Sequence, residues 1–206
     1  MPNHSQIEIE RKYDVTDAVV PPRLVGAGAV AIESEPSTDE LVATYIDTPE
    51  LALARDRVAV RMRRGGSDEG WHVKLPGDEG RTELHWPLGS GDPDAPPAEL
   101  IAALGDRIGD ARLGPIARVT NLRTTVILQD AAGFAIAELC DDHVSSENLR
   151  TGGVRSWREW EVELLGGAPD TREGRTALLD EIEERLLEAG ATVSASSSKL
   201  ARALGL

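Results

Sequence analysis

QIEIERKYDV, running from Gln6 to Val15, alternates charged and apolar residues, and its reading decides the fold. Successive side chains of a strand point to opposite sides. Glu8, Glu10 and Lys12 therefore share one side, and Ile7, Ile9 and Tyr13 the other. A half-buried strand normally turns its apolar side inward and leaves its charges in water. The alternative is that the charged side is the inside of something. The pattern recurs, which favours the alternative. WREWEVELLGG places Glu159, Glu161 and Glu163 on one side, with Trp160, Val162 and Leu164 on the other. AIAELCDD sets Glu138 and Asp142 two residues either side of Cys140. In AVRMRRG, Arg61 and Arg63 alternate with Val60, Met62 and Arg64, while WHVKLP puts His72 beside Lys74 on one face. Arg123 stands in NLRTTVIL and Lys199 in SSSKLARAL.

Several strands with one apolar side and one ionised side of mixed sign fit a closed barrel. Its apolar sides would face outward under helices and loops, and its charged sides would line the lumen. So many enclosed charges are tolerable only if they neutralise one another, bind metal, or bind a charged ligand. Carboxylates attract hard divalent cations, and Arg and Lys clusters attract phosphate. A chamber with both suits a metal-chelated polyphosphate.

Composition agrees. The 206 residues suffice for one substantial domain, and 40% hydrophobic with 28% charged residues is ordinary for a water-soluble globular chain. A net charge of −14 argues against general nucleic-acid binding, which needs a basic stripe. Cys140 is the single cysteine, so there is neither an intramolecular disulfide nor a cysteine-based zinc site. No apolar run reaches a membrane span, and MPNHSQIEIERK lacks the apolar stretch of a signal peptide, so a cytoplasmic protein without membrane association is expected.

Strand patterns fall at Ile7–Tyr13, Ala29–Ser34, Leu41–Asp47, Val58–Arg64, Gly70–Leu75, Arg81–Pro87, Val119–Gln129, Phe134–Cys140, Val144–Leu149 and Ser156–Leu165. Loops at Gly65–Gly70, Pro76–Gly80 and Gly89–Pro97 separate several of them, and DAAGF reads as a hairpin turn. Helical patterns are fewer. They fall at Glu50–Arg55, Pro97–Leu104 and Thr176–Ala189, with a serine-capped start at Ser197–Leu204. No linker divides the chain, so the expected class is α+β, mainly β, in one domain spanning residues 1–206.

The ordered blocks EIERK, YIDTPELALARDRVAVRMRR, WHVKLP, RTE, EWEVELLGG and SKLARALG resemble those of the CYTH family, the triphosphate tunnel metalloenzymes, nearly from end to end. The resemblance implies a closed eight-stranded antiparallel barrel forming a tunnel, and hydrolysis of a triphosphate with Mg²⁺ or Mn²⁺. It implies Glu8 and Glu10 as metal ligands, and a second metal-binding pair within Glu159, Glu161 and Glu163. Asp142 matches a further acidic position, in a register left open by the adjacent Asp141. Lys12, Arg61, Arg63, Lys74, Arg123 and Lys199 match the phosphate-binding cations. Glu8, Glu10, Lys12 and Glu161 would carry the catalysis. Inorganic triphosphate is the first choice of substrate, since the motif residues are nearly all charged. Thiamine or nucleoside triphosphates, adenylate cyclisation, and polyphosphate binding without turnover are the other readings. A following CHAD domain is the partner implied if the chain is a segment of a longer protein.

The remaining residues have simpler readings. His72 and Cys140 read as wall or filler positions, Trp157 and Trp160 as outer-wall packing, and Arg81 and Glu83 as lumen residues. Arg202, one helical turn past Lys199, reads equally as a tunnel contact or a surface ion pair.

Overall fold

The computed structural model describes residues 4–88 and 95–206. Of the expected Gly89–Pro97 loop, residues 89–94 lie outside the described residues, as do the first three of the N-terminal stretch.

The chain is mainly antiparallel sheet with few helices. In order come β1 (His4–Glu8), β2 (Glu10–Val15), β3 (Ile32–Glu33), β4 (Ser37–Asp47), α1 (Ala52–Arg55), β5 (Ala59–Arg64), β6 (Gly70–Pro76) and β7 (Arg81–Pro87). They are followed by α2 (Ala98–Leu104), β8 (Gly114–Gln129), β9 (Ala135–Asn148), β10 (Gly153–Leu164), α3 (Arg172–Glu188), β11 (Thr192–Val193) and α4 (Lys199–Leu204). Neighbours in the sheet run β1-β7-β6-β5-β4-β8-β9-β10-β2-β11, with β3 against β8.

The opening stretch is interrupted at Ile9. Before it, β1 pairs with β7; after it, β2 pairs with β10. Ile9 accepts a backbone hydrogen bond from Leu164 at 2.9 Å, so the two halves contact strands from opposite ends of the sheet order. The sheet is thereby curled around the charged side of its strands.

The apolar sides face out and are covered. Tyr13, Trp160, Val162 and Ile136 pack beneath α3 through Leu178, Leu179, Ile182 and Leu186. On the other flank Val60, Met62, Trp71, Val73 and Trp86 pack against Leu53 of α1 and Leu100 and Leu104 of α2. A third cluster lies on the inward side. Ala43, Tyr45, Ala59, Val119 and Val144 meet Leu200 and Ala203 of α4, which floors the interior. The Ser198 hydroxyl caps α4, accepting from the Ala201 amide at 3.1 Å.

Besides the break at Ile9, several expectations change, β10 and α3 beginning earlier than expected, at Gly153 and Arg172. The expected strands at Phe134–Cys140 and Val144–Leu149 are one strand, β9. No turn is needed at the charged run between them, because Asp141 is paired outward by Arg158 and Asp142 inward by Arg123. β4 and β8 begin earlier than their apolar patterns, at Ser37 and Gly114, because register with a neighbour extends them. Only Ile32–Glu33 of Ala29–Ser34 is strand. Trp160 packs outside as expected, but Trp157 lies on the side of Glu159, donating Nε1–H to its Oε2 at 2.6 Å.

Candidate functional site

Register brings the inward residues into rows around the interior. Lys12 is opposite Glu161, which is opposite Cys140, which is opposite Thr125. Glu10 stands opposite Glu163 and Glu163 opposite Glu138; Glu159 stands opposite Asp142 and Asp142 opposite Arg123. On the other flank Tyr45, Arg61, His72 and His85 make one row, and Ala59, Lys74, Glu83 and Gln6 another. These rows line a cavity of about 820 Å³. Glu8, Glu10, Lys12, Arg61, Arg63, Lys74, Arg123, Glu161, Glu163 and Lys199 all border it, whereas Asp142 and Glu159 lie behind that lining. Ten of the twelve sequence-derived site residues thus border one cavity, with Asp142 and Glu159 set behind them.

Around Lys199 the charges are matched. Its ammonium is 2.7 Å from Asp142, 2.6 Å from Glu159 and 2.7 Å from Glu161. Arg123 makes a bidentate pair with Asp142 at 2.7 and 2.6 Å and reaches Glu161 at 2.5 Å. Lys12 pairs with Glu161 and lies 2.9 Å from Glu10. Burial opposes ionisation of both acids, yet Lys199 and Arg123 hold Asp142 near pKa 2, and Lys12, Lys199 and Arg123 hold Glu161 well below the carboxylate range. Asp142, Glu159 and Glu161 each offer an oxygen within 4.8 Å of the others, close enough to hold one metal ion; the cation lying among them here is the lysine. Lys199 sits in the first turn of α4, where the helix dipole disfavours a cation, so these carboxylates offset that cost.

At the opposite side of the cavity the charges do not match. Lys74 is 2.5 Å from Glu8 and 3.6 Å from Glu83. Oε2 of Glu8 is nevertheless buried without a hydrogen-bond partner among the described residues. Burial, with Glu83 and Glu10 nearby, outweighs Lys74 and raises the Glu8 pKa to about 7. Glu163 rises to about 8 through burial and the charges of Glu8, Glu10 and Glu138. Arg63 has the converse problem, since burial and the nearby Arg61 and Arg123 lower it to about 9. It pairs with Asp68, on the loop after β5, while Nε of both Arg61 and Arg63 is buried with no partner among the described residues.

Two glycines permit this arrangement. Gly65 opens the Asp68 loop at φ 84, where a Cβ would lie 2.0 Å from the Glu40 carbonyl. Gly80 turns at φ 85 against the Glu8 backbone, where a Cβ would come within 2.1 Å of the Glu8 carbonyl.

His72 fills a wall position, with Nδ1 2.5 Å from Glu83 and Nε2 3.0 Å from the Asp68 carbonyl. Cys140 is a buried filler whose thiol burial pushes its pKa up. Arg202 turns toward both of its expected surroundings, pairing with Asp14, lying 3.6 Å from Glu159 and covering the Trp157 ring at 4.9 Å. Asp47, in the quoted YIDT block, is structural. It accepts the Leu53 and Ala54 amides at 2.9 Å, capping α1. Glu138, Tyr45, Asp68 and Asn121 also border the cavity and were not singled out as site residues. Glu138 could be found from its shared face with Asp142, and Asn121 from its place two residues before Arg123 on one strand face; Tyr45 and Asp68 carry no distinguishing local pattern.

A CYTH domain model matches residues 6–196. Two uncharacterized proteins of Mycobacterium tuberculosis, from two strains, are each 42% identical over 212 residues, covering 97% of this chain and 40% of their own length. The chain therefore spans well under half of these curated relatives. An adenylate-cyclase-like protein of Bacillus halodurans shares the fold with TM-score 0.67 at 22% identity, over 96% of this chain and 97% of that one. A protein of Pyrococcus horikoshii matches with TM-score 0.52 at 17% identity, over 94% of this chain and 96% of that one. Among the described residues no helix is long and apolar enough to cross a membrane.

Proposed function

Because this chain belongs to the CYTH family, we propose that it is a divalent-metal-dependent triphosphatase whose first substrate is inorganic triphosphate. One observation carries the reading: a single cavity is bordered by a carboxylate oxygen of Glu8 and guanidinium nitrogens of Arg61 and Arg63 that are buried without a hydrogen-bond partner among the described residues. An anionic substrate with a divalent cation satisfies both at once. We further propose a tunnel of eight strands, with β1 and β2 as one, in a single domain of residues 1–206 in the cytoplasm. Support for closure comes from the two halves of Gln6–Val15 pairing with β7 and β10.

Two groups of acids are candidates to hold the metal. Asp142, Glu159 and Glu161 have oxygens within 4.8 Å of one another around the Lys199 ammonium. We favour Glu8, Glu10 and Glu163, because a buried Glu8 oxygen lacks a partner among the described residues and Glu8 and Glu163 hold raised pKa values. When bound there, Mg²⁺ or Mn²⁺ would supply Lewis-acid charge to phosphoryl oxygens and would lower the pKa of water. Arg61 and Arg63 receive the phosphate with forked donors, Lys74 and Lys12 lie beside them, and their cations stabilise charge as it develops on the oxygens. Asp142, Glu159 and Glu161 anchor Lys199, Arg123 and Lys12, which presents a rigid cationic wall to the substrate. The charge of −14 on the chain favours small anions drawn by this local wall over nucleic acid.

A phosphate-release screen over inorganic triphosphate, thiamine triphosphate, ATP and long polyphosphate, with Mg²⁺ and Mn²⁺, tests the proposal. Metal-dependent release, greatest from inorganic triphosphate, is expected. Glu8→Gln combined with Glu10→Gln should lower release on the order of 10²–10³-fold while the melting transition survives. Tight triphosphate binding with no turnover would replace the hydrolase by a polyphosphate-binding module.

A further inference from the structure

Asn121 carries a polar side chain on the inward side of β8 whose Oδ1 has no hydrogen-bond partner among the described residues. It stands two residues before Arg123 and on the same side. Its register partners are Leu41 on β4 and Val144 on β9, neither of which offers a hydrogen bond. The side chain borders the cavity, the residue is 4% exposed, and Oδ1 is buried with no partner among the described residues. An amide so placed is costly unless a ligand completes it, and an aliphatic side chain would suit a purely structural position better.

The next row contains the clue to the ligand. Val119 stands opposite Ala43, and Ala43 opposite Arg63. Ala43 projects only a methyl group between Val119 and Arg63, and the Nε groups of Arg63 and of Arg61, two residues earlier on β5, are also buried with no hydrogen-bond partner among the described residues. Unpartnered donors from β5 and an unpartnered amide from β8 therefore border one cavity.

We infer that Asn121 is a phosphate-binding residue, its amide donating Nδ2–H to an oxygen of the phosphoryl group received by Arg61 and Arg63. A half-turn of the amide exchanges its oxygen and nitrogen, so a donor is available at this position. A neutral donor is the suitable type. Arg61, Arg63 and Arg123 already repel one another there, and a fourth cation would add to that repulsion, whereas an amide adds a hydrogen bond and no charge. The inference rests on the triphosphate reading above and names a further contact in that site.

Calorimetric titration of inorganic triphosphate, with and without Mg²⁺, separates the two. Wild type should bind, Asn121→Ala should bind roughly tenfold more weakly, and Asn121→Asp more weakly still, because the same shape then faces phosphate with a negative charge. Melting curves establish that the variants fold, and Asn121→Ala alone decides if Asn121→Asp does not. Wild type that binds no triphosphate overturns the functional reading and this contact with it. Wild type that binds, with Asn121→Ala unchanged or Asn121→Asp equal or tighter, overturns the contact alone. A loss confined to nucleoside triphosphates also overturns it, assigning Oδ1 to a donor on an organic group.

Discussion

Lys199 and Glu163 border the same cavity, yet their surroundings are opposite. The ammonium of Lys199 has three carboxylates within 2.7 Å, and each of those acids has a further cation or donor. Glu163 lies among Glu8, Glu10 and Glu138, with Lys74 as the nearby cation, and its pKa rises to about 8. One side of the cavity has completed its electrostatics within the chain. The other leaves a Glu8 oxygen and the Nε groups of Arg61 and Arg63 without hydrogen-bond partners among the described residues. The two sets of charges differ in how far the protein itself neutralises them, a distinction invisible in the residue types alone.

The largest test of this difference breaks the completed side. Lys199→Met removes the cation from three buried acids and should destabilise the fold by about 3–5 kcal/mol. Chemical denaturation measures it. A variant within experimental error of wild type would mean that the triad is not the lysine's socket. The same substitution should let the triad take up a divalent ion, seen as an added metal equivalent by calorimetry.

The pH dependence of the incomplete side comes next. Glu8 and Glu163 hold pKa values of about 7 and 8, above the usual 4.5, so the folded chain retains protons that the unfolded chain has released. Metal-free stability should therefore fall as pH rises from about 4.5 to 8. Asp142, held near 2, works the other way, and its contribution is lost only as pH falls below the usual carboxylate range toward 2. Glu163→Gln should flatten the upper fall in thermal melts at pH 5 to 8.5, and Mg²⁺ or Mn²⁺ should restore wild-type stability at pH 8. A wild-type melting temperature that rises steadily across this window would contradict the assignment.

The smallest effect concerns Asp68, a half-exposed carboxylate that pairs with Arg63 where phosphate is proposed to bind. Asp68→Asn frees the guanidinium, and triphosphate affinity should increase roughly two- to fivefold by calorimetry. Weaker binding would make Asp68 a support of the arginine, sharpening the contrast in the other direction.

Much of this was legible from residues 6–15 and their echoes. Period-two alternation identified which side of each strand is charged, and that placed Glu8, Glu10, Lys12, Arg61, Arg63, Lys74 and Glu161 on one interior. The break at Ile9 was not legible, because alternation continues across it and only pairing with β7 and β10 reveals it. Nor was the continuous β9, where a run of charges separates two strand patterns until Arg123 and Arg158 are seen to pair with it.

The sequence by itself determined the sidedness of the strands and the chemical kinds of group that line the interior, because both follow from the period of side-chain direction. Only the tertiary structure decided which charges cancel. Lys199 is 38 residues from Glu161 along the chain, and Glu8 is 66 from Lys74, so their pairing depends on strand register and on α4 docking beneath the sheet. Charge interactions reach across a few ångströms of low-dielectric space and take no account of sequence separation. That is why six acids of one apparent class divide into three that hold a lysine and three, Glu8, Glu10 and Glu163, proposed to await a metal.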